Sequence, residues 1–368
     1  MSNITETVLE IDLNSLAHNY YYLRSKISGK TKFMAVVKAF AYGSDSVQIG
    51  QKLEKLGVDA LAVAYVSEGI ALRKNGVKLP ILVLHPQMGH FSEIINYELM
   101  PSLYSQLILN GFIKEAEKYC KKDYPVHLKL NTGLNRLGFE GNEINALLNS
   151  LKNTKAIKVE GVFSHLAASE DASEKAFSLQ QMEEFQSFTS QLIKNLNYRP
   201  LLHLCNTSGI LNYPQAHFDM VRSGIALYGF GNSAKEDANL IPVASLKTLI
   251  SQIHEVLVGS SVGYNRGFIA KRPTRIATLP LGHADGINRI YGKGKGIVSV
   301  NGNPAPIVGN VCMDMIMIDV SGIDCQEGDE VLIFGKNKSA EEFANRAGTI
   351  SYELITSISQ RVKRKILD

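Results

Sequence analysis

Lys38 closes a run of five apolar residues, FMAVV (Phe33–Val37), and a small turn, AFAYGSD, follows it. A run of this kind reads as a strand buried on both faces. If its ammonium is desolvated, a lysine at such a strand end keeps a fraction of free amine that can form an imine with a carbonyl. Taken alone, it reads more simply as an ammonium reaching solvent. Other strand ends carry comparable groups. Lys129 ends an apolar run in HLKLNTGLNRLG, with Arg136 in the loop beyond. His165 ends another in GVFSHLA, and Arg222 another in MVRSGIALYG. In HLCNTSG, His203 lies within the run and Asn206, Thr207 and Ser208 follow it. The turns Asn206–Gly209 and Ser223-Gly224-Ile225 are small and hydroxyl- or glycine-bearing, so their backbone N–H groups suit a phosphate. Nucleotide fingerprints are absent, which leaves a small phosphorylated cofactor. An imine-forming lysine facing a phosphate pocket is the constellation expected for pyridoxal 5′-phosphate (PLP).

These residues share one rim only if the elements place them there. β-type runs occur at Phe33–Val37, Ala60–Ala64, Ile81–Leu84, Leu99–Leu103, Val126–Leu130, Val159–Ser164, Leu201–Cys205 and Phe218–Val221. Helical spacing separates them, as in Val47–Leu56, Ser67–Lys74, Ser105–Tyr119, Glu143–Leu151 and Ser173–Leu196. Eight alternations predict a closed (β/α)8 TIM-like barrel rather than an open doubly wound sheet, with functional groups at the C-terminal ends of the strands. Before the barrel, Thr7–Leu13 reads as a strand, and Asn14-Ser15 as the cap of a helix over Leu16–Ile27. Past Gly231 the texture changes: a polar, helix-poor linker (Asn232–Asn239), then strand-like segments punctuated by Gly and Pro, then helical spacing over Ser339–Arg346 and Tyr352–Val362. The division expected is a barrel over 12–233 and a mostly-β domain over 234–368 joined by the N-terminal strand 1–11.

Composition is that of an ordinary globular chain: 368 residues, 45% hydrophobic, 20% charged, net charge +4. That charge is too small and too scattered for a nucleic-acid partner; RVKRK (Arg361–Lys365) reads as a solvated helix end. Cys120, Cys205, Cys312 and Cys325 show no zinc-ligand spacing, so free thiols in a reducing compartment and no metal are expected. With no signal-peptide pattern and no apolar stretch of spanning length, the expectation is a cytoplasmic protein off the membrane.

VVKAFAYG, HLKLNTGLNRLG, GVFSHLA, MVRSGIALYG, VGYNRG (Val262–Gly267), GNVCMDM (Gly309–Met315) and TISYE (Thr349–Glu353) occur in this order along nearly the whole chain. Together they resemble bacterial alanine racemase. The resemblance implies that Lys38 carries PLP and acts as one base, while Tyr264 acts as the other from the β domain of a partner subunit. It implies that Tyr42, Thr207, Gly224, Ile225 and Tyr352 hold the phosphate, with His165 and Asn206 also at the cofactor. Arg222 would face the pyridine nitrogen. Arg136 would meet the phenolic oxygen and the substrate carboxylate, and Met313 that carboxylate through its N–H. Lys129, which matches a lysine carbamylated in some members, His203, Cys312 and Asp314 would support the site. The implied activity is racemisation of L- and D-alanine by a homodimer, supplying D-alanine for peptidoglycan.

Two bases on opposite faces of Cα are what racemisation requires. Tyrosine ordinarily titrates near pH 10, so Tyr264 would need cationic or hydrogen-bonded neighbours, with His165 and Arg222 implied. The chain departs from the family pattern at several places. Phe40 stands for the usual Asn, Ser44-Asp45 for His-Gly, NTGLNRLG for DTGMGRLG, Thr207 for Ser, and His283 for the Tyr at the substrate entrance. Serine or a broader substrate range is the nearest alternative. A PLP carrier lacking the second domain and a barrel decarboxylase are further ones.

Overall fold

A computed structural model describes residues 4–231, 233–336 and 339–368. The first strand, β1 (Val8–Asp12), lies outside the barrel. Asp12, not Asn14 or Ser15, caps the helix that follows: its carboxylate accepts the N–H groups of Asn14 and Ser15, and the helix runs Leu13–Arg24. Asp outcompetes its neighbours because the chain is still extended at that residue, the geometry a cap requires.

The eight expected barrel strands form and close: β2 (Lys32–Val36), β3 (Ala60–Val63), β4 (Ile81–Val83), β5 (Met100–Leu103), β6 (Tyr124–Lys129), β7 (Ile157–Phe163), β8 (Leu201–His203) and β9 (Met220–Ser223). All neighbours pair in parallel, and β9 returns to β2. Phe33–Val37 are buried, as a strand between barrel interior and helical shell must be. The five helices expected from spacing form within one or two residues of their expected ends, and a short further helix, Phe91–Asn96, joins β4 to β5.

The second sheet is built from β10 (Ala244–Leu249), β11 (Gln252–Val256), β14 (Thr274–Leu279), β15 (Ile297–Val300), β16 (Asn303–Val308), β17 (Ile316–Asp319), β18 (Glu330–Phe334) and β19 (Lys363–Leu367), with β1 between β10 and β19. A separate ribbon of β12 (Ser261–Val262) and β13 (Phe268–Ile269) carries Tyr264 at its tip. Three expectations are corrected. The polar segment 232–239, of which Asn232 lies outside the described residues, contains a helical turn, Ala234–Asp237. The last helix stops at Ser357. RVKRK is therefore no helix end: it bends and becomes β19, pairing in parallel with β1 because the sheet edge offers its unpaired backbone groups. Cys205 and Cys325 are buried, Cys312 is half-buried and Cys120 exposed; all four are free thiols.

Candidate active site

Each barrel strand delivers its last residues to one mouth, where a cavity of about 920 Å³ opens. Lys38, Tyr42, Lys129, Arg136, His165, Asn206, Thr207, Ser208, Arg222, Gly224, Ile225 and Tyr352 all line it. Burial and the Arg136 guanidinium both lower the Lys38 pKa, against a smaller opposing pull from Glu68. The amine is thus held closer to its neutral, nucleophilic form.

The turn after Lys38 departs from every expectation for its sequence. Ala39, Phe40, Ala41 and Tyr42 are all left-handed, with φ between 52° and 54°. The turn swings Tyr42 inward, where its ring stacks on Tyr228 at 4.6 Å and lies 6.1 Å from Tyr352. A Cβ on Gly224 would stand 2.1 Å from the Tyr42 hydroxyl, so only glycine leaves that oxygen room beside the 223–225 turn. Thr207 Oγ1 and Ser223 Oγ lie 2.9 Å apart, joining the two small turns. Asn206 serves as a cap, its Oδ1 accepting from Gly209 N–H and Ser169 Oγ. Asp45, where the family pattern has Gly, caps the helix Ser46–Leu56.

Arg222 is buried and fully harnessed at one end. Its Nη1 donates to His203 Nδ1 at 2.8 Å and to His203 O. Its Nη2 donates to Ser164 O, Leu204 O and His165 Nδ1. Nε takes part in none of these bonds. Because arginine only donates, His203 Nδ1 must accept, which puts the His203 proton on Nε2, 2.9 Å from His127 Nδ1. Burial and the Arg222 charge keep His165, His203 and His127 neutral, His127 with a pKa lowered to about 3. Burial lowers Arg222 itself to about 10. Lys129 Nζ sits 4.6 Å over the Phe163 ring, its pKa pushed well down by burial, Arg222 and Arg136.

Arg136 lies exposed on the loop after β6. The substituted loop is self-supporting: Asn135 takes φ 54° where the pattern has Gly, and Asn131 both donates to its side chain and accepts its N–H. Asn is among the residues that tolerate this conformation.

Tyr264 and Met313 are not part of this cavity. Both stand on the β domain, 71% and 59% exposed. Met313 shares its loop with half-buried Cys312 and with Asp314, which pairs with Arg361. His283 is exposed next to that loop, its N–H donating to Cys312 O. Sequence reasoning missed Glu68, whose Oε1 accepts the Ala39 N–H at 2.6 Å. Its place in the first turn of the helix Val66–Lys74 signalled a bond to its own cap, not one to a distant turn.

The fold and this mouth define a class: a (β/α)8 barrel with a mostly-β appendage and a lysine-lined cavity at the strand ends. The donors present fit PLP: a lysine whose amine is shifted toward its neutral form, an Arg222 Nε without a hydrogen bond among the described residues, and a cradle at Gly224 that any side chain would fill. The alanine racemase N-terminal domain model matches residues 11–231 and the C-terminal domain model residues 243–366. The chain is 38% identical to the alanine racemase of Methanococcus maripaludis, over 96% of this chain and 97% of that one. Among solved structures, the alanine racemase of Clostridium difficile 630 superposes with a TM-score of 0.93 at 32% identity, over 100% of this chain and 97% of that one. That of Bartonella henselae, which holds covalently bound pyridoxal phosphate, gives 0.90 at 29% identity, over 99% and 100%. The chain belongs to the alanine racemase family.

Proposed function

We propose that this protein racemises alanine with PLP by two bases, Lys38 and the Tyr264 of a second copy of the chain. The observation that carries the reading is the single cavity in which Lys38 meets Arg222 and the small turns at 206–208 and 223–225. PLP bound there supplies an electron sink that acidifies the Cα proton of an amino acid joined to it. Lys38 Nζ takes or returns that proton on one face, and Tyr264 Oη on the other. Tyr42, Thr207, Gly224, Ile225 and Tyr352 hold the phosphate; burial pushes the Tyr352 phenol up to about 12, so it donates as a neutral hydroxyl. Arg222 would face the pyridine nitrogen and, even at about 10, would be too weak an acid to protonate it. Arg136 and the Met313 N–H hold the substrate carboxylate. Neutral His165 and His203 fix the Arg222 plane, and burial with Arg222 pushes the Lys129 amine toward the neutral form that carbamylation requires.

The shared-site homodimer is supported by the exposure of Tyr264 and Met313 outside their own chain's cavity, and by exposed Phe40 on the anchor turn. We assign residues 12–233 to the barrel unit and 234–368 with 1–11 to the β unit. Four unpaired cysteines favour a cytoplasmic enzyme, and its D-alanine product suits peptidoglycan synthesis. Among the described residues no helix is long and apolar enough to cross a membrane.

The test incubates the purified protein with L-alanine and, separately, L-serine, following optical rotation and a visible Schiff-base band that borohydride abolishes. Loss of rotation with alanine and a borohydride-sensitive band are expected. A band without racemisation would favour the carrier reading, and faster loss with serine the serine one.

A further inference from the structure

The left-handed turn Ala39–Tyr42 contains no glycine. Each such residue brings its Cβ against the following carbonyl and is disfavoured relative to the right-handed form, so the turn persists only because its surroundings hold it. Two charged side chains grip its ends. At the start, Glu68 Oε1 accepts the Ala39 N–H at 2.6 Å while Oε2 accepts Ala64 N–H at 2.7 Å and Tyr65 N–H at 3.1 Å. At the far end, Arg364 donates from Nη2 to Gly43 O at 2.9 Å and from Nε to Ser44 O at 3.3 Å. Its other donors reach Ile358 O, Ser359 O and Val362 O, in the bend between the Tyr352 helix and β19. Between the grips, Gly43 packs so tightly that a Cβ there would lie 2.0 Å from Ile355 O. Neither Glu68 nor Arg364 lines the cavity.

We propose that Glu68 and Arg364 are positioning residues: together they hold the left-handed turn and so fix where Lys38 Nζ stands in the cavity. The inference rests on Lys38 being the cofactor anchor. Charge matters at both grips. A carboxylate offers two acceptor oxygens to three N–H groups, whereas a glutamine would turn N–H₂ toward some of them. Arginine spans five carbonyls with one rigid fork, and lysine cannot.

The test compares Glu68→Gln and Arg364→Gln holoenzymes, backed by Glu68→Asp and Arg364→Lys, with wild type. Amide hydrogen exchange across residues 39–45 is expected to quicken about tenfold, as when a charge-assisted hydrogen bond is lost. The kcat for alanine is expected to fall about 10–100-fold through misplacement, with KM within about twofold and PLP still fixed by borohydride. The inference is overturned by unchanged exchange and kcat in the variants that fold. It is also overturned by a kcat loss that only tracks a lower melting temperature, without faster exchange at 39–45. Lys38→Ala serves as the separate control: PLP still fixed by borohydride in that protein would defeat the anchor reading itself, whatever the clamps do to exchange.

Discussion

Arg222 is a buried cation with no carboxylate against it among the described residues, stabilised by three carbonyls and two imidazoles. Burying a charge without such bonds is prohibitive, so every atom of that network is constrained. On the proposed reading Arg222 would face the pyridine nitrogen, and a donor that keeps its own proton would leave the cofactor a weaker electron sink, favouring return of the proton to Cα. Arg222→Glu offers a carboxyl that can protonate the nitrogen instead. Pyruvate formed per racemisation turnover should rise, measured by a coupled dehydrogenase assay; an unchanged ratio would count against this role for Arg222. At this scale the sequence was informative about which residue types end which strands, since Lys38, Lys129, His165 and Arg222 all reach the cavity. Glu68 was invisible because its partner, the Ala39 N–H, is 29 residues away and belongs to a turn of unforeseeable hand.

Between elements, the line His127–His203–Arg222 ties β6 to β8 and β9 through the barrel interior. Its histidines are neutral because burial and Arg222 depress their pKa values, while in an unfolded chain they titrate near 6.5. Below that pH the unfolded state binds more protons, so the stability these residues contribute is complete above about 6.5 and drains away as pH falls toward about 3, the folded value of His127. The melting temperature should therefore decline from pH 7 to pH 4, and His127→Phe should make the decline shallower. A profile of the same slope in wild type and variant would refute the linkage. Eight strands and five helices were legible because their burial periods are unambiguous. The fate of RVKRK was not. Its basic residues read as a solvated helix end, yet Arg361 pairs with Asp285 and Asp314, and Arg364 reaches the Lys38 turn.

Across the molecule, the barrel supplies Lys38, Arg222 and most of the cavity lining, the C-terminal part adds Tyr352, and Tyr264 and Met313 stand out in solvent. On the shared-site reading, Lys38→Ala and Tyr264→Ala homodimers are each inactive, and mixing them under exchange should restore one complete site in each hybrid dimer, half the sites of the wild-type dimer. No recovered activity after demonstrated subunit exchange would defeat the shared site.

Sequence alone determined the alternation of elements, the residue types at the strand ends and the order of the family motifs, because burial period and side-chain chemistry are local properties. It could not decide the hand of the 39–42 turn, the strand formed by the C-terminal arginines or the tie from Glu68. Those depend on bonds between segments that only the closed barrel and its neighbouring sheet bring together.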